Sequence, residues 1–528
     1  MMAYVHQTCR VPGINGESHV LGIDFGTDRA ASLQFNDRTT DCIGLHRAIS
    51  SIGDTGVELV LTRKCANVCK IVNLLRAVGP DLDDTCTKLF DDALDCITSR
   101  IVGGHLPETA LNQAAFGTQS GGLGLRKASS LRLPAFIASR VASKALVFRL
   151  ADSLNAIGLL PGNFVFEFAS KLDDAIGAFK NDVGVDKESA VDALVLEEFD
   201  FTSKVTHAIF VGQDLPNRTT SKSVDHRALL LSPLGHDDPE SSDGHGLQRK
   251  LCDMQDEIEF AKLQSSFSAS ERWDDYWRLE EFRQAPPVIS SAWMWRLSLA
   301  QGEIVPPNEF AQGVRIRLGG ECIDGSTACS RCGKQFDPQG YHPLRCALSE
   351  ATRGHNRVRD EALHLVHLAD SSSRCEVPGL VASRPSLRPA DILSDTAVPG
   401  GRVALDIGVA TPGSCAAGNN CCESMWSEKL KHYEHVLPEM RLDGLHYVPL
   451  VFSCFGRIHC EAKNMFRLIS ISAARKAGIS NSSLLAHRTF ENIGVALVRR
   501  YVAMYNTCLP PLSPETLNLM LGDGFGDD

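Results

Sequence analysis

The sequence predicts a multidomain α+β fold, helical over much of its length and closing in a small α/β unit. Three observations carry that expectation. Apolar residues recur at helical spacing through the first 150 residues and again over 250–318. The period shortens to that of strands at "RPADIL", "RVALDIGVA" and "YVPLVFS", with helical text between and after them. At 528 residues the chain also exceeds what one hydrophobic core encloses, so two to four domains are expected.

Taken in order, "HVLGIDFG" reads as a short strand and turn. "LTRKCANVCKIVNLLRAV" places Leu61, Cys65, Val68, Val72 and Leu75 at helical spacing, which makes Cys65 and Cys69 part of a buried helix face and not half of a metal site. "LFDDALDCITSRIVGG" repeats the pattern and stops at Gly103-Gly104. "GGLGLRKASSLRLPAFIASRVASKALVFRLADSL" is a glycine-rich turn feeding an amphipathic basic helix. Residues 212–247 are rich in Ser, Asp, Gly and Pro and read as a mobile connector holding a domain boundary. Helix returns over 250–318, where Trp273, Tyr276, Trp277, Trp293 and Trp295 concentrate aromatic surface for a core or a docking face. "HNRVRDEALHLVHLA" is a helix, followed by the strands "RPADIL" and "RVALDIGVA" around the turn "DTAVPGG". Then come the helix "ESMWSEKLKHYEHVL", the buried strand "YVPLVFS" and the helix "KNMFRLISISAARKAG". No internal repeat appears, and the connector is the one low-complexity tract.

No window approaches the ~18 to 20 consecutive apolar residues of a membrane span, and the first residues lack an apolar signal core. No membrane partner is expected. The 18 cysteines lack the short, even spacings of a disulfide framework and read as reduced thiols, so the expected location is intracellular, nuclear rather than cytoplasmic. A net charge of −11 argues against wholesale nonspecific nucleic-acid binding. Local charge points the other way. Leu123–Leu150 holds six basic residues (Arg126, Lys127, Arg132, Arg140, Lys144, Arg149) and no acid, Cys329–Asp360 holds six against three, and Glu461–Tyr501 seven against two.

One cysteine group is organised. Cys329, Cys332, His342 and Cys346 stand as C-x2-C-x9-H-x3-C, three thiolates and an imidazole that fill the tetrahedral shell of a structural Zn2+ and leave no open position. Cys322 is near enough in sequence to be an alternative ligand. So short a loop buries no core, and metal binding would supply most of its folding energy.

A second constellation is acidic. Asp391 in "RPADIL" and Asp406 in "ALDIGV" end adjacent strands, and Lys429 and Lys431 follow on the next helix. Two such carboxylates suit a shared Mg2+ or Mn2+, and a nearby lysine can orient a water and offset charge growing on a phosphate. That equipment hydrolyses phosphodiesters. Glu376, or Glu361 on the preceding helix, would complete the acidic set.

The order of "ALDCITSRIVGGHLPETALNQAAFGTQSGGLGLR", "FAQGVRIRLGG", the Cys3His group, "GHNRVRDEAL", "RPADIL", "ALDIGVATP" and "EKLKHY" resembles the carboxy-terminal half of non-LTR retrotransposon polyproteins that carry a restriction-like endonuclease. That resemblance covers nearly the whole chain apart from the connector. It implies a reverse-transcriptase thumb-like helical region over 1–150, a variable region with the connector over 151–249, a helical linker over 250–320, a CCHC zinc knuckle over 321–350 and a PD-(D/E)xK endonuclease over 351–528. By this likeness Asp391 and Asp406 are the metal-binding acids, Lys429 is the lysine moved from the strand to the following helix, and Cys329, Cys332, His342 and Cys346 form the knuckle. The implied partners are DNA and, second, RNA, held by Arg126, Lys127, Arg132, Arg140, Lys144, Arg353 and Arg357. Ala390 separates Pro389 from Asp391, a departure from the family's P-D element, and no aromatic-x-D-D motif sits on a plausible hairpin. The polymerase palm is thus missing and no reverse transcription is expected.

Two other functions compete. A chain of this ancestry that has lost catalysis would bind nucleic acid through the knuckle and the basic faces. "VLGIDFGTDRAASLQF" also resembles the first phosphate loop of actin-like ATPases, where Asp24 and the Gly26-Thr27 turn would face Mg-nucleotide, although "LDIGVATPG" is the one faint echo of the second loop.

Overall fold

The computed structural model describes residues 18–20, 23–25, 28–156, 164–211, 246–297, 304–322, 328–346, 348–413 and 420–509. The expected connector lies almost entirely outside them, as do Gly26 and Thr27. The architecture is α+β: mostly helical, with one two-stranded and one four-stranded sheet among the described residues. Among the described residues no helix is long and apolar enough to cross a membrane. The chain forms two compact units, residues 1–104 with 111–265, and residues 105–110 with 266–528. The division falls inside the segment expected as a helical linker.

The first unit opens on β1 (Ser18–Val20) and β2 (Ile23–Phe25), an antiparallel pair with His19 opposite Asp24. Where a single strand is expected there, two short strands pair instead. Helices α1 (Asp28–Ser50), α2 (Thr55–Cys65), α3 (Val72–Val78) and α4 (Asp84–Ile101) follow. The continuous helix expected across "LTRKCANVCKIVNLLRAV" is broken between α2 and α3. The Cys42 thiol and the His46 ring both bond the Ala66 carbonyl, at 3.1 and 2.7 Å, and Ala66 leaves helical geometry at φ −132°. That break turns Cys65 and Cys69 outward, so the expected buried face is instead built from Leu59, Val60, Ile71, Leu74 and Leu75.

Beyond α5 (Glu108–Ala115), helices α6 (Ala128–Asn155), α7 (Phe164–Val183), α8 (Glu188–Val211) and α9 (Leu247–Ala269) complete the first unit. Phe136, Ile137, Val141, Leu172, Phe179, Val191 and Leu251 form their shared core. The first turn of α6 has no side-chain cap of its own. Buried Asp91 on α4 supplies one from across the core, accepting from the backbone N–H groups of Ala128 and Ser129 at 2.6 and 3.3 Å.

In the second unit α10 (Trp273–Gln284), α11 (Pro287–Ser290), α12 (Pro307–Leu318) and α13 (Pro343–Cys346) lead to α14 (Leu348–Ala369). Then come β3 (Arg374–Cys375), β4 (Ile392–Ser394), β5 (Arg402–Ala410), α15 (Cys421–Tyr433), α16 (Leu437–Leu442), β6 (Leu445–Ser453), α17 (Cys460–Ala477) and α18 (Ser482–Cys508). The sheet order is β3-β4-β5-β6, antiparallel except for the parallel β5/β6 pair, whose crossover is α15 and α16. Strand alternation sorts its two faces. Val403, Leu405 and Ile407 of β5 with Leu450 and Phe452 of β6 pack on α14, α17 and α18. Ala404, Leu393 and Leu445 pack on the opposite side with Met440 of α16, and Ala410 and Val451 with the first turn of α15. Asp406, of the same parity as Ala404, faces α15 (see below).

Candidate active site and metal centre

The knuckle begins at a tight antiparallel turn in which Ala328 bridges Gln335 and the Cys329 N–H donates to Lys334 O at 2.8 Å. Gly333 takes φ +69°, a conformation for which a residue without Cβ is best suited, and this folds the chain back directly after Cys332. Asp337 then accepts from the backbone N–H groups of Tyr341 and His342 at 2.7 and 2.6 Å, fixing the loop that presents the imidazole. The ligand atoms of Cys329, Cys332, His342 and Cys346 all lie within 4.8 Å of one another. Cys329 Sγ and Cys346 Sγ are 3.9 Å apart. A tetrahedron with ~2.3 Å metal–sulfur bonds has sulfur–sulfur edges of about 3.8 Å, so the donor set fits a tetrahedral ion. Burial works to raise the Cys329 thiol, but the backbone N–H groups of Arg331 and Cys332 aimed at its sulfur, with His342, hold it down at about 6. Cys346 is pushed up to about 11 by burial and by its thiol neighbours. Cys322 is not among the gathered ligands: its thiol donates to Gly320 O at 3.3 Å.

The acidic residues form a row. Ile392 on β4 pairs with Leu405 on β5, so Asp391, just before Ile392, and Asp406, just after Leu405, lie at the same end of the strand pair, close enough for the Asp391 charge to act on Asp406. The Asp391 N–H donates to Leu405 O at 2.9 Å, one residue out of the register of that ladder, so the pairing becomes irregular at the acid. One step further along β3, Glu376 stands opposite Asp391, its N–H donating to Asp391 O at 3.0 Å. Like charges directly opposite on a sheet destabilise it, so partners are needed. Asp391 Oδ2 accepts from the Ile407 N–H at 2.7 Å and lies 3.2 Å from His355 Nε2 of α14. Asp406 meets Lys429 Nζ of α15 at 2.8 Å through Oδ1, and its Oδ2 accepts from the Tyr447 hydroxyl of β6.

The two acids respond differently. Burial works to raise Asp391, but the His355 hydrogen bond and charge, the Ile407 N–H and Lys429 hold it below the ordinary range. In Asp406 burial prevails over Lys429 and Tyr447, aided by the Asp391 charge, and its carboxyl is raised. The Tyr447 phenol is pushed far up, by burial first and then by Asp406, and so stays a hydrogen-bond donor.

The structure thus brings Asp391, Asp406 and Lys429 together. It does not bring in the rest of the expected set. Glu376 is exposed, sits at φ +47° and turns its carboxylate to Arg359 at 2.7 Å and Arg388 at 3.5 Å. Glu361 accepts from Asn492 at 2.7 Å. Lys431, two residues beyond Lys429 and so about 200° around the helix, is exposed. Several cations expected on nucleic acid have partners inside the first unit: Arg126 with Asp256, Lys127 with Asp95 and Arg132 with Asp84. Arg140 lies over the Phe136 and Phe168 rings and Lys144 over Phe148 and Phe199. Arg353, paired with Glu350, and Arg357 are exposed on α14.

No protein-family model matches this chain, and no curated protein matches it. Geometry alone therefore bears on function.

Three contributors escaped sequence reading. His355 and Tyr447 come from elements remote in sequence, with no local mark. Gly408 did carry a signal, a glycine inside a strand. A Cβ there would lie 2.8 Å from both Lys429 Cε and Met425 Sδ, so its absence opens the path by which Lys429 reaches Asp406.

Proposed function

We propose that this chain is a retroelement-derived nucleic-acid-binding protein with a zinc knuckle and, over 351–528, a metal-dependent DNA endonuclease, lacking a polymerase palm. The observation that supports catalysis most is the neighbouring pair Asp391 and Asp406 with Lys429 on the second acid. The pair would hold Mg2+ or Mn2+, whose acidity, when bound, activates a phosphate oxygen. Asp391 is kept ionised and aimed by His355 and the Ile407 N–H. Tyr447 holds one oxygen of Asp406 and leaves the other to Lys429. The Lys429 ammonium orients the attacking water and offsets negative charge on the phosphate in the transition state. Exposed Arg353, Arg357 and Lys431 contact backbone phosphates, and the knuckle holds Zn2+ by Cys329, Cys332, His342 and Cys346.

A second reading, a binding module without catalysis, draws on Glu376: its carboxylate is engaged by two arginines, leaving two acids at the site. Supercoiled plasmid separates the two. Nicking by the wild-type chain in Mg2+ or Mn2+, abolished in Asp391→Ala and Asp406→Ala while DNA binding persists, is the expected result. Binding without nicking by the wild type refutes the endonuclease and leaves the binding module.

A further inference from the structure

A second group of metal-type donors lies in the same unit outside the knuckle. Glu281 of α10 and Cys421 and Cys422 in the first turn of α15 are all buried, and their ligand atoms lie within 4.8 Å of one another. Glu281 is only 3% exposed. Its Oε1 accepts from Arg457 at 3.2 Å, but Oε2 is buried with no hydrogen-bond partner. A carboxylate oxygen taken from water and left unpaired is among the costliest things a fold can contain. A cation between Oε2 and the two sulfurs removes that cost.

We propose that Glu281, Cys421 and Cys422 supply three ligands of a second metal site, for Zn2+ or a divalent ion of similar softness. Two thiolates with one carboxylate match zinc and not Mg2+ or Ca2+, which take oxygen shells. Charge supports the assignment. Two thiolates and a carboxylate exceed a divalent ion by one negative charge, and the Arg457 guanidinium on the other carboxylate oxygen cancels it. The cysteines stand at the amino end of a 13-residue helix, where backbone N–H groups favour thiolates. A disulfide between the adjacent cysteines is the competing fate of the pair, but it would leave Glu281 Oε2 as unpartnered as before.

The site has a mechanical consequence. Cys422, Met425 and Lys429 follow one another at three- and four-residue spacing, so they share one face of α15. An ion at Cys422 pins the start of the helix that carries Lys429 and ties it to α10. The inference stands whether or not the chain cuts DNA.

Metal analysis of the full chain, loaded with Zn2+ and dialysed, tests it. About two zinc ions per chain are expected, falling to about one in Cys332→Ser, where the knuckle is broken, and to about one in Glu281→Gln, which preserves side-chain volume. X-ray absorption on Cys332→Ser gives a second readout that needs no change at the new site. A mixed shell of two sulfurs with oxygen is expected. One zinc in the wild type, lost entirely in Cys332→Ser, overturns the proposal, as does a mass two hydrogens low mapped to Cys421–Cys422 in the freshly isolated protein.

Discussion

Lys429 of α15 and Asp406 of β5 meet at 2.8 Å, a lysine from a helix reaching an acid that lies at the same end of the strand pair as a second acid. Both groups are largely shielded, with side chains 23% and 11% exposed. Removing the amine while keeping the stem, in Lys429→Met, is expected to lower plasmid nicking about a hundredfold or more. The same change leaves a carboxylate buried with one partner fewer, so it should also lower the melting temperature. Adding Asp406→Asn removes the stranded charge, and the double variant is expected to melt closer to wild type than Lys429→Met does. Melting that is additive across the two changes would contradict a direct pair.

Gly408→Ala addresses the same pair without touching either member. The new Cβ would intrude on Lys429 Cε and Met425 Sδ, both near the ends of flexible side chains, and come 3.3 Å from Val451 Cγ2. The fold should give way cheaply, at about 1–2 kcal/mol by urea unfolding. Lys429 should not, because the added carbon occupies its approach. Nicking is expected to fall nearly as far as in Lys429→Met, and activity unchanged from wild type would sink the view that this glycine serves the lysine.

How much of this could be read beforehand follows from range. The sixteen residues from Asp391 to Asp406 encode a hairpin whose turn returns the second acid to the same end of the strand pair as the first, and the knuckle's spacing is equally local. Partners from afar are silent: nothing near "RVALDIGVA" announces Tyr447 or His355. Counting charge over Leu123–Leu150 finds basic residues but cannot see Asp256, Asp95 and Asp84 arriving from other helices. Helical periodicity over Leu61–Leu75 was overridden by one carbonyl, that of Ala66, captured by Cys42 and His46. The direction of Lys431 follows from helix geometry alone, since two residues turn a side chain away from its neighbour's face.

An ion held by the knuckle should be felt at the end of α18. The Ser330 N–H and hydroxyl both donate to Cys508 O at 3.0 Å, while Cys329 and Phe336 pack on Met504 and Cys508. Treatment with a chelator, or Cys332→Ser, is expected to speed amide exchange in residues 328–346 and also over the last turn of α18. Exchange that quickens only in the loop would mean that the knuckle hangs on the domain without bracing it.

The two acids should titrate in a fixed order. Asp406 is raised above its ordinary value and Asp391 lowered, so on acidification Asp406 takes up a proton first. Carbon-13 carboxyl titration is expected to place Asp406 above ~3.9 and Asp391 below it. Metal binding and nicking should therefore fail on the acid side with Asp406. In Lys429→Met that acid limb should move to higher pH, because the amine that favours the charged form is gone. A limb that stays put would assign the titration to another group.

Asp370 gives a stability test independent of catalysis. It is 3% exposed at the end of α14, and its carboxylate accepts from the Ser394 and Ser372 hydroxyls at 2.6 and 2.7 Å. The backbone N–H groups of Ser372, Asp395 and Thr396 donate to it at 3.1, 2.9 and 3.0 Å. Burial opposes the charge, but these donors outweigh it and hold the carboxyl well below the usual range. With the folded pKa depressed, the stability it contributes is present above the unfolded value of ~3.9 and is lost as pH falls through the folded value. Asp370→Ala should strand those donors and cost about 3 kcal/mol near neutrality. Asp370→Asn should cost nearly as much, since an amide presents N–H groups to donors. Urea unfolding at neutral pH and again below ~3.9 reads both effects: the variants start lower, and their stability falls less on acidification than that of the wild type. Equal acid losses in variant and wild type would show that Asp370 is not the group that links α14 to the end of β4 through its charge.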